Sequence, residues 1–263
     1  MIINFRGSQI HYNVEGKGSA LILLHGFLES STMWNSLIPN LSQAFKTITI
    51  DLPGHGKSGV FGEVHSMQLM AECVLEILKI EKVTKTHVLG HSMGGYVALS
   101  LLKENSSLVD SITLLNSTPA EDSDSRKKNR ERAVKLINKY PQAFISMGVT
   151  NLFANEKAAE FESAIKAMKA EAYTYPISGI IANIKGMKCR EDTQALLKNY
   201  KGKKVIITGQ EDPIVLLKNI KSIANETESD FYKLSGGHMS HIEAKDDVLD
   251  IILRLEAHSN HVQ

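Results

Sequence analysis

Short apolar–polar alternations open the chain and give way to continuous apolar runs separated by segments with helical spacing. Ile2 to Phe5 and Gln9 to Val14 read as a hairpin turning near Arg6-Gly7-Ser8. Ala20-Leu21-Ile22-Leu23-Leu24 is apolar at every position, as expected of a central strand covered on both faces. A helix is expected over Met33 to Gln43 and a strand over Lys46 to Ile50. Met67, Met70, Ala71, Val74 and Leu78 recur at helical spacing, so Ser66 to Ile80 reads as an amphipathic helix with Ser66 near its start. Thr86 to Leu89 is again β-prone, Tyr96 to Leu102 reads as a buried helix, and Ser111 to Asn116 as a further strand.

From about Thr118 to Lys188 the strand signals stop. Ala158, Phe161, Ile165, Met168 and Ala172 lie on one face of a helix, and Arg126 to Lys135 is helix-prone and dense in both signs of charge. Its cluster of Arg126, Lys127, Lys128, Arg130 and Arg132 is able to meet an anion, but Glu121, Asp122, Asp124 and Glu131 stand close by, and a solvated face is the simpler reading. The α/β rhythm then returns, with strands over Lys203 to Thr208 and Asp230 to Leu234 and helices over Ile214 to Ala224 and Asp246 to Glu256. The fold class that follows is α/β: a mostly parallel central sheet of about eight strands flanked by helices, with a helical cap inserted after the sixth strand. In domain terms, residues 1–117 and 189–263 form the core and 118–188 the cap.

Composition narrows the function classes. With 30 basic and 29 acidic residues, the net charge of +1 gives no electrostatic case for nucleic acid or an anionic membrane. No apolar run approaches the ~18 residues needed to span a bilayer. The start lacks the basic-then-apolar pattern of a signal peptide, so cytoplasmic location is the expectation. Cys73 and Cys189, far apart in sequence, read as two separate thiols. His258 and His261 in the tail have no companion ligands and read as a frayed terminus.

The chemistry starts at Gly90-His91-Ser92-Met93-Gly94, a G-x-S-x-G pattern set between a β-prone run and a helix. A serine on so sharp a turn needs very small neighbours at the minus-two and plus-two positions. Its hydroxyl is a weak nucleophile without a base, and the base needs an acid to hold its tautomer. Gly209-Gln210-Glu211-Asp212-Pro213, directly after a strand, supplies Asp212 on the rim where ligands of open α/β sheets bind. Asp212 also suits a helix cap before Pro213, but its order and position in the chain favour the acid's role, with Glu211 as the alternative acid. Gly236-Gly237-His238 follows the last strand and offers His238 as base, with His241 left as a pocket or packing residue. Asn116, behind the serine turn, is an amide and cannot hold a positive imidazole.

Two backbone N–H groups are expected to face the developing oxyanion, those of Met93 and of Phe27 after Gly26. His25, His55 and His91 read as structural residues. Asp51-Leu52-Pro53-Gly54-His55-Gly56-Lys57-Ser58 does not meet the phosphate-loop spacing, because only one residue separates its glycines. No metal-ligand spacing such as C-x-x-C or H-E-x-x-H is present, so no metal is indicated.

Taken together, His25-Gly26-Phe27, the Asp51 to Ser58 loop, Gly90 to Gly95, Gly209 to Asp212 and Gly237-His238 resemble the α/β-hydrolase superfamily, in its small capped, esterase-like serine-hydrolase branch. The resemblance implies hydrolysis of a carboxylic ester, or related acyl bond, of a small molecule through an acyl-enzyme on Ser92, His238 and Asp212, with no cofactor. It differs from the haloalkane dehalogenase and epoxide hydrolase branches, which carry aspartate where Ser92 stands. Carbon–carbon bond hydrolysis and the pyruvate-eliminating step of menaquinone synthesis are alternatives on the same fold; the latter group usually has arginine where Tyr96 stands. A ligand-binding signalling protein with residual hydrolase activity is a third. Phe27, Trp34, Phe144, Met147 and Phe153 are the expected pocket liners, and neither substrate identity nor oligomeric state is readable.

Overall fold

The computed structural model describes residues 1–154 and 159–259. Its eight strands form one sheet in the order β1-β2-β4-β3-β5-β6-β7-β8. They are β1 (Ile2–Phe5), β2 (Ser8–Glu15), β3 (Ser19–Leu24), β4 (Phe45–Ile50), β5 (Thr86–His91), β6 (Val109–Leu115), β7 (Lys203–Gly209) and β8 (Asp230–Leu234). β1 and β2 pair antiparallel, β2 joins β4 antiparallel, and every other neighbouring pair is parallel. The reversals from β4 to β3 to β5 put the C-terminal ends of β3 and β5 side by side, and with them Leu24↔Gly90 in register.

β3 shows why its run is apolar throughout. Leu21 and Leu23 enter one core with α1 (Ile38–Ala44) and α11 (Lys245–Ser259), while Ile22 and Leu24 enter another with α2 (Met67–Ile80) and α3 (Met93–Glu104). Burying side chains on both faces stabilises each Leu or Ile by roughly 1.5–3 kcal/mol relative to exposure. Between β6 and β7 come α4 (Asp124–Lys139), α5 (Pro141–Thr150), α6 (Glu162–Ala172), α7 (Ile177–Lys188) and α8 (Gln194–Asn199). α9 (Leu217–Glu226) and α10 (Ser240–Glu243) complete the chain's α-helices among the described residues. α4 to α7 gather around a third cluster that includes Ile137, Ile145, Val149, Phe153 and Ile180, and that touches the rest of the chain through Leu28 and Met239.

Two expected helices begin elsewhere. Met33 to Gln43 is a one-turn 3-10 helix over Ser31–Trp34 followed by α1, because Pro39 cannot continue a helix already running through Asn35 and instead starts a new one. The helix expected from Ile214 starts at Leu217, since the amides of Ile214 and Val215 donate to the Asp212 side chain instead. α6 carries Phe161, Ile165, Met168 and Ala172 on or beside it; Ala158, the His258 side chain and His261 lie outside the described residues. Cys73 and Cys189 are separate thiols, one buried and one exposed. Among the described residues, no helix is long and apolar enough to cross a membrane.

Candidate active site

Ser92 stands between β5 and α3 with φ 49° and ψ −113°, a conformation that a residue with a side chain adopts only under strain. The strain persists because the packing around it leaves no alternative. A side chain at Gly94 would run into the Leu24 carbonyl, and one at Gly90 into the carbonyl of Gly94. The two glycines thus let β5, β3 and α3 approach closely enough to hold Ser92 at the strand's end.

Three rim loops converge on it. His238, after β8, places Nε2 2.8 Å from Ser92 Oγ, and its Nδ1 lies 2.8 and 2.9 Å from the Asp212 oxygens. Burial raises the cost of charge on Asp212, but the His238 imidazole and the Val215 amide hold its carboxyl below the usual range. An ionised Asp212 accepts only, so Nδ1–H donates to it and Nε2 is left to accept the Ser92 hydroxyl proton. Asp212 also takes the Ile214 and Val215 amides at 2.7 and 2.8 Å. Capping a turn and facing His238 are therefore compatible tasks for one carboxylate. Glu211 is exposed and accepts from Gln210.

Residues assigned no catalytic part from the sequence brace this arrangement. Asn116 Nδ2 donates to Asp212 Oδ2 at 2.9 Å and to the Gly237 carbonyl at 3.1 Å, so the amide orients the acid and the histidine loop together. Glu243 accepts the amides of Gly237 and Met239 at 2.9 and 3.1 Å, and the His238 amide donates to the Leu152 carbonyl at 2.9 Å. Behind Ser92, Glu29 accepts the Gly26 amide at 2.6 Å and faces His91 Nδ1 at 2.8 Å, while His91 Nε2 lies 2.9 Å from the His238 carbonyl. Burial works against both charges of this pair. Their mutual attraction nonetheless carries Glu29 down to about 2 and raises His91 above its ordinary value. A carboxylate three residues after Gly26, directly behind Phe27 and Leu28, is the available sequence signal.

The loop after β3 lies against the serine: a side chain at Gly26 would meet Glu29, the His91 ring and Ser92 Cβ. His25 Nδ1 donates to the Gly26 carbonyl at 2.7 Å and Nε2 accepts the Leu52 amide at 2.8 Å, which fastens this loop to the one after β4. His55 accepts the Leu28 amide. His241 is packed between Trp34 and His91, and burial keeps it neutral, with its value lowered to about 3.

A cavity of about 200 Å³ opens over Ser92 and His238, walled by Phe27, Tyr96, Phe144, Met187 and Ile214 among others. Phe27 comes from the loop after β3, and Met93 is the first residue of α3. Of the expected pocket liners, Phe27 and Phe144 face the cavity. Trp34, Met147 and Phe153 do not. Trp34 is fully buried in the core beneath the sheet, where Leu37, Leu41 and Phe45 offer it an apolar site. Phe153 stacks on Phe161 inside the α4–α7 cluster, and Met147 sits on the outward face of α5, 60 % exposed.

The family model described as alpha/beta hydrolase fold matches residues 19–245. The chain belongs to the alpha/beta hydrolase family. Among its relatives, 3-oxoadipate enol-lactonase 1 of Acinetobacter baylyi is 25% identical over 95% of this chain and 94% of its own. An uncharacterized protein of Mycobacterium tuberculosis is 32% identical over 105 residues, 40% of this chain; the match spans only 31% of that relative's length. Among solved structures, a thermophilic esterase from Thermogutta terrifontis superposes with a TM-score of 0.89 at 25% identity, covering 97% of this chain and 95% of its own.

Proposed function

We propose that this hydrolase cleaves a carboxylic ester, or a related acyl bond, of a small molecule through an acyl-enzyme on Ser92. The observation that carries the reading is the unbroken chain from Ser92 Oγ to His238 and on to Asp212, opening on an apolar-walled cavity. Membership of a hydrolase family, with relatives named esterase and enol-lactonase, supports it.

In this mechanism His238 takes the hydroxyl proton as Ser92 attacks the acyl carbon. The bond between Oγ and that carbon forms, and the carbonyl electron pair moves onto oxygen. The amides of Phe27 and Met93 receive the oxyanion, each worth on the order of 3 kcal/mol to the transition state. His238 then passes the proton to the leaving alcohol as the acyl–oxygen bond breaks. Water, deprotonated by the same imidazole, releases the acid and regenerates Ser92. Asp212 stays ionised throughout and stabilises the imidazolium. The Glu29–His91 pair holds the Gly26–Phe27 loop and the His238 carbonyl, so it sets the distance between oxyanion donors and base. α4 to α7 act as the cap over the cavity, with residues 118–188 as the inserted unit and 1–117 with 189–263 as the core.

The test is a panel of acyl esters of graded chain length with an organophosphonate label. Turnover and labelling in the parent, both lost in a folded Ser92→Ala variant, support the proposal. Undiminished turnover in that variant overturns it.

A further inference from the structure

We infer that the substrate of this site is anionic: a half-ester whose second, free carboxylate is received by Arg126 and Arg130 at the outer end of the cavity over Ser92. The inference rests on the ester-hydrolase reading and extends it to the charge of the substrate.

Arg126 and Arg130 lie one turn apart on α4, and both line the cavity that holds Ser92 and His238. Both also line a second, more open hollow of about 490 Å³ that shares Phe27, Phe144 and Ile214 with the first. The two guanidinium groups therefore mark the passage from the reacting centre to the outside. A group projecting from a bound ester away from Ser92 meets them on its way out.

Their charge is not cancelled. Asp122, buried and held below the ordinary carboxylate range against the cost of burial, contacts three guanidiniums, those of Arg126, Arg130 and Arg190. Arg190, only 6 % exposed and 2.7 Å from Asp122, is by itself sufficient to neutralise it. One carboxylate against three guanidiniums leaves an excess of positive charge on this wall. The one carboxylate lining either hollow among the described residues is Glu29, which is engaged by His91 and the Gly26 amide. The wall of the inner cavity is otherwise largely apolar, with Phe27, Leu28, Phe144, Leu152 and Ile214 on it, and there a charge-assisted partner counts for more than in water.

The donor inventory points the same way. Arg130 turns Nε and Nη2 to Asp122, and its Nη1 meets only the Met187 sulfur at 3.4 Å, a weak acceptor. Arg126 donates Nη1 to the Ile214 carbonyl at 3.0 Å, and its Nη2 has no protein acceptor among the described residues. Each arginine thus keeps N–H capacity at the passage. A carboxylate presents two acceptor oxygens that match paired guanidinium donors with charge assistance. A neutral ester gains nothing comparable there.

The test compares monomethyl glutarate, adipate and suberate with the corresponding neutral dimethyl esters. The expected result is a kcat/KM preference for the best monoanion of roughly tenfold or more, carried by KM. Arg126→Gln, at a half-exposed position, should lower that preference by roughly tenfold, and Arg126→Lys should restore part of it. Calorimetry on Ser92→Ala supplies a readout independent of turnover: the monoesters bind more tightly than the diesters, and adding Arg126→Gln removes the difference. Neutral esters turned over with no preference for the monoanions overturn this inference and leave the ester-hydrolase reading standing. Arginine-dependent binding of the monoesters with no turnover of any ester does the reverse. A preference unchanged in both Arg126→Gln and Arg130→Gln also overturns it.

Discussion

The sheet with its flanking helices and the block formed by α4 to α7 are built on different principles. α3 buries nine of its twelve residues between β strands and α2, whereas α4, longer by more than a turn, buries only Ile137. The sheet side is held by continuous apolar packing on both faces. The helical block has a smaller core of its own and is tied to the rim by polar contacts: Glu171 accepts from Ser30 and Thr32, Asn183 donates to the Pro53 carbonyl, and Leu152 accepts the His238 amide. Ser92, Asp212 and His238 sit on the close-packed part, where interiors resist deformation. The arginines that face the cavity sit on the part held by exchangeable polar links. On the proposed reading, reaction geometry falls to the close-packed region and substrate choice to the one held by polar links.

Substitutions on the rim test this division most severely. Ser92→Ala is expected to lower kcat/KM by on the order of 10⁴-fold or more with the unfolding midpoint preserved, as read by ester kinetics beside thermal melts. Asp212→Asn keeps the shape but frees the imidazole tautomer, and a loss on the order of 10³–10⁴-fold is expected; a fall of only a few-fold would move the acid's role elsewhere. Next comes packing. Leu23→Ala in the sheet core should cost about 3 kcal/mol in a single global transition. Ile145→Ala should speed amide exchange in α4 to α6 while β3 and β5 keep their protection. Equal protection across both regions in the parent chain would erase the comparison.

The smallest expected effect is on pH dependence. His241 is lowered from 6.5 to about 3 in the folded state, chiefly by burial and then by the nearby His91 charge. The unfolded chain therefore takes up that proton first as pH falls. Stability declines between about pH 6.5 and 3, by at most ~1.4 kcal/mol per pH unit from this group, and is unaffected above that window. His241→Phe, retaining a ring between Trp34 and His91, should flatten this decline in urea titrations across pH. An unchanged slope would place the acid sensitivity on His25, His55 or His65, which burial also lowers.

Much of the fold was legible because its signals are local. The run Ala20 to Leu24 is apolar at every position and is a strand buried on both faces; Gly90 and Gly94 flank the one serine held at a strained positive φ between strand and helix. The order of Ser92, Asp212 and His238 along the chain, the acid and the histidine each just after a strand, pointed to loops on one rim of the sheet. The braces were harder to read. Asn116 was set aside as an amide unfit to be the acid, yet it holds the acid in place. Glu29 and His91, far apart in sequence, are paired only because β3 and β5 are adjacent. Trp34, Met147 and Phe153 were chosen for apolar bulk, which says that a side chain seeks cover and not which cover it finds.

Arg126 and Arg130 mark the boundary between the two kinds of knowledge. By itself the sequence determined a parallel α/β sheet, a serine on a strained turn and the loops that bring it an acid and a histidine, because periodicity, small-residue requirements and loop order act over short stretches of chain. It could not determine which face of a charge-dense helix turns inward, since lysines and arginines on either side of α4 obey the same local rules. Only the tertiary structure decided that, by burying Asp122 beside the helix and so drawing two guanidiniums toward it and onto the wall above Ser92.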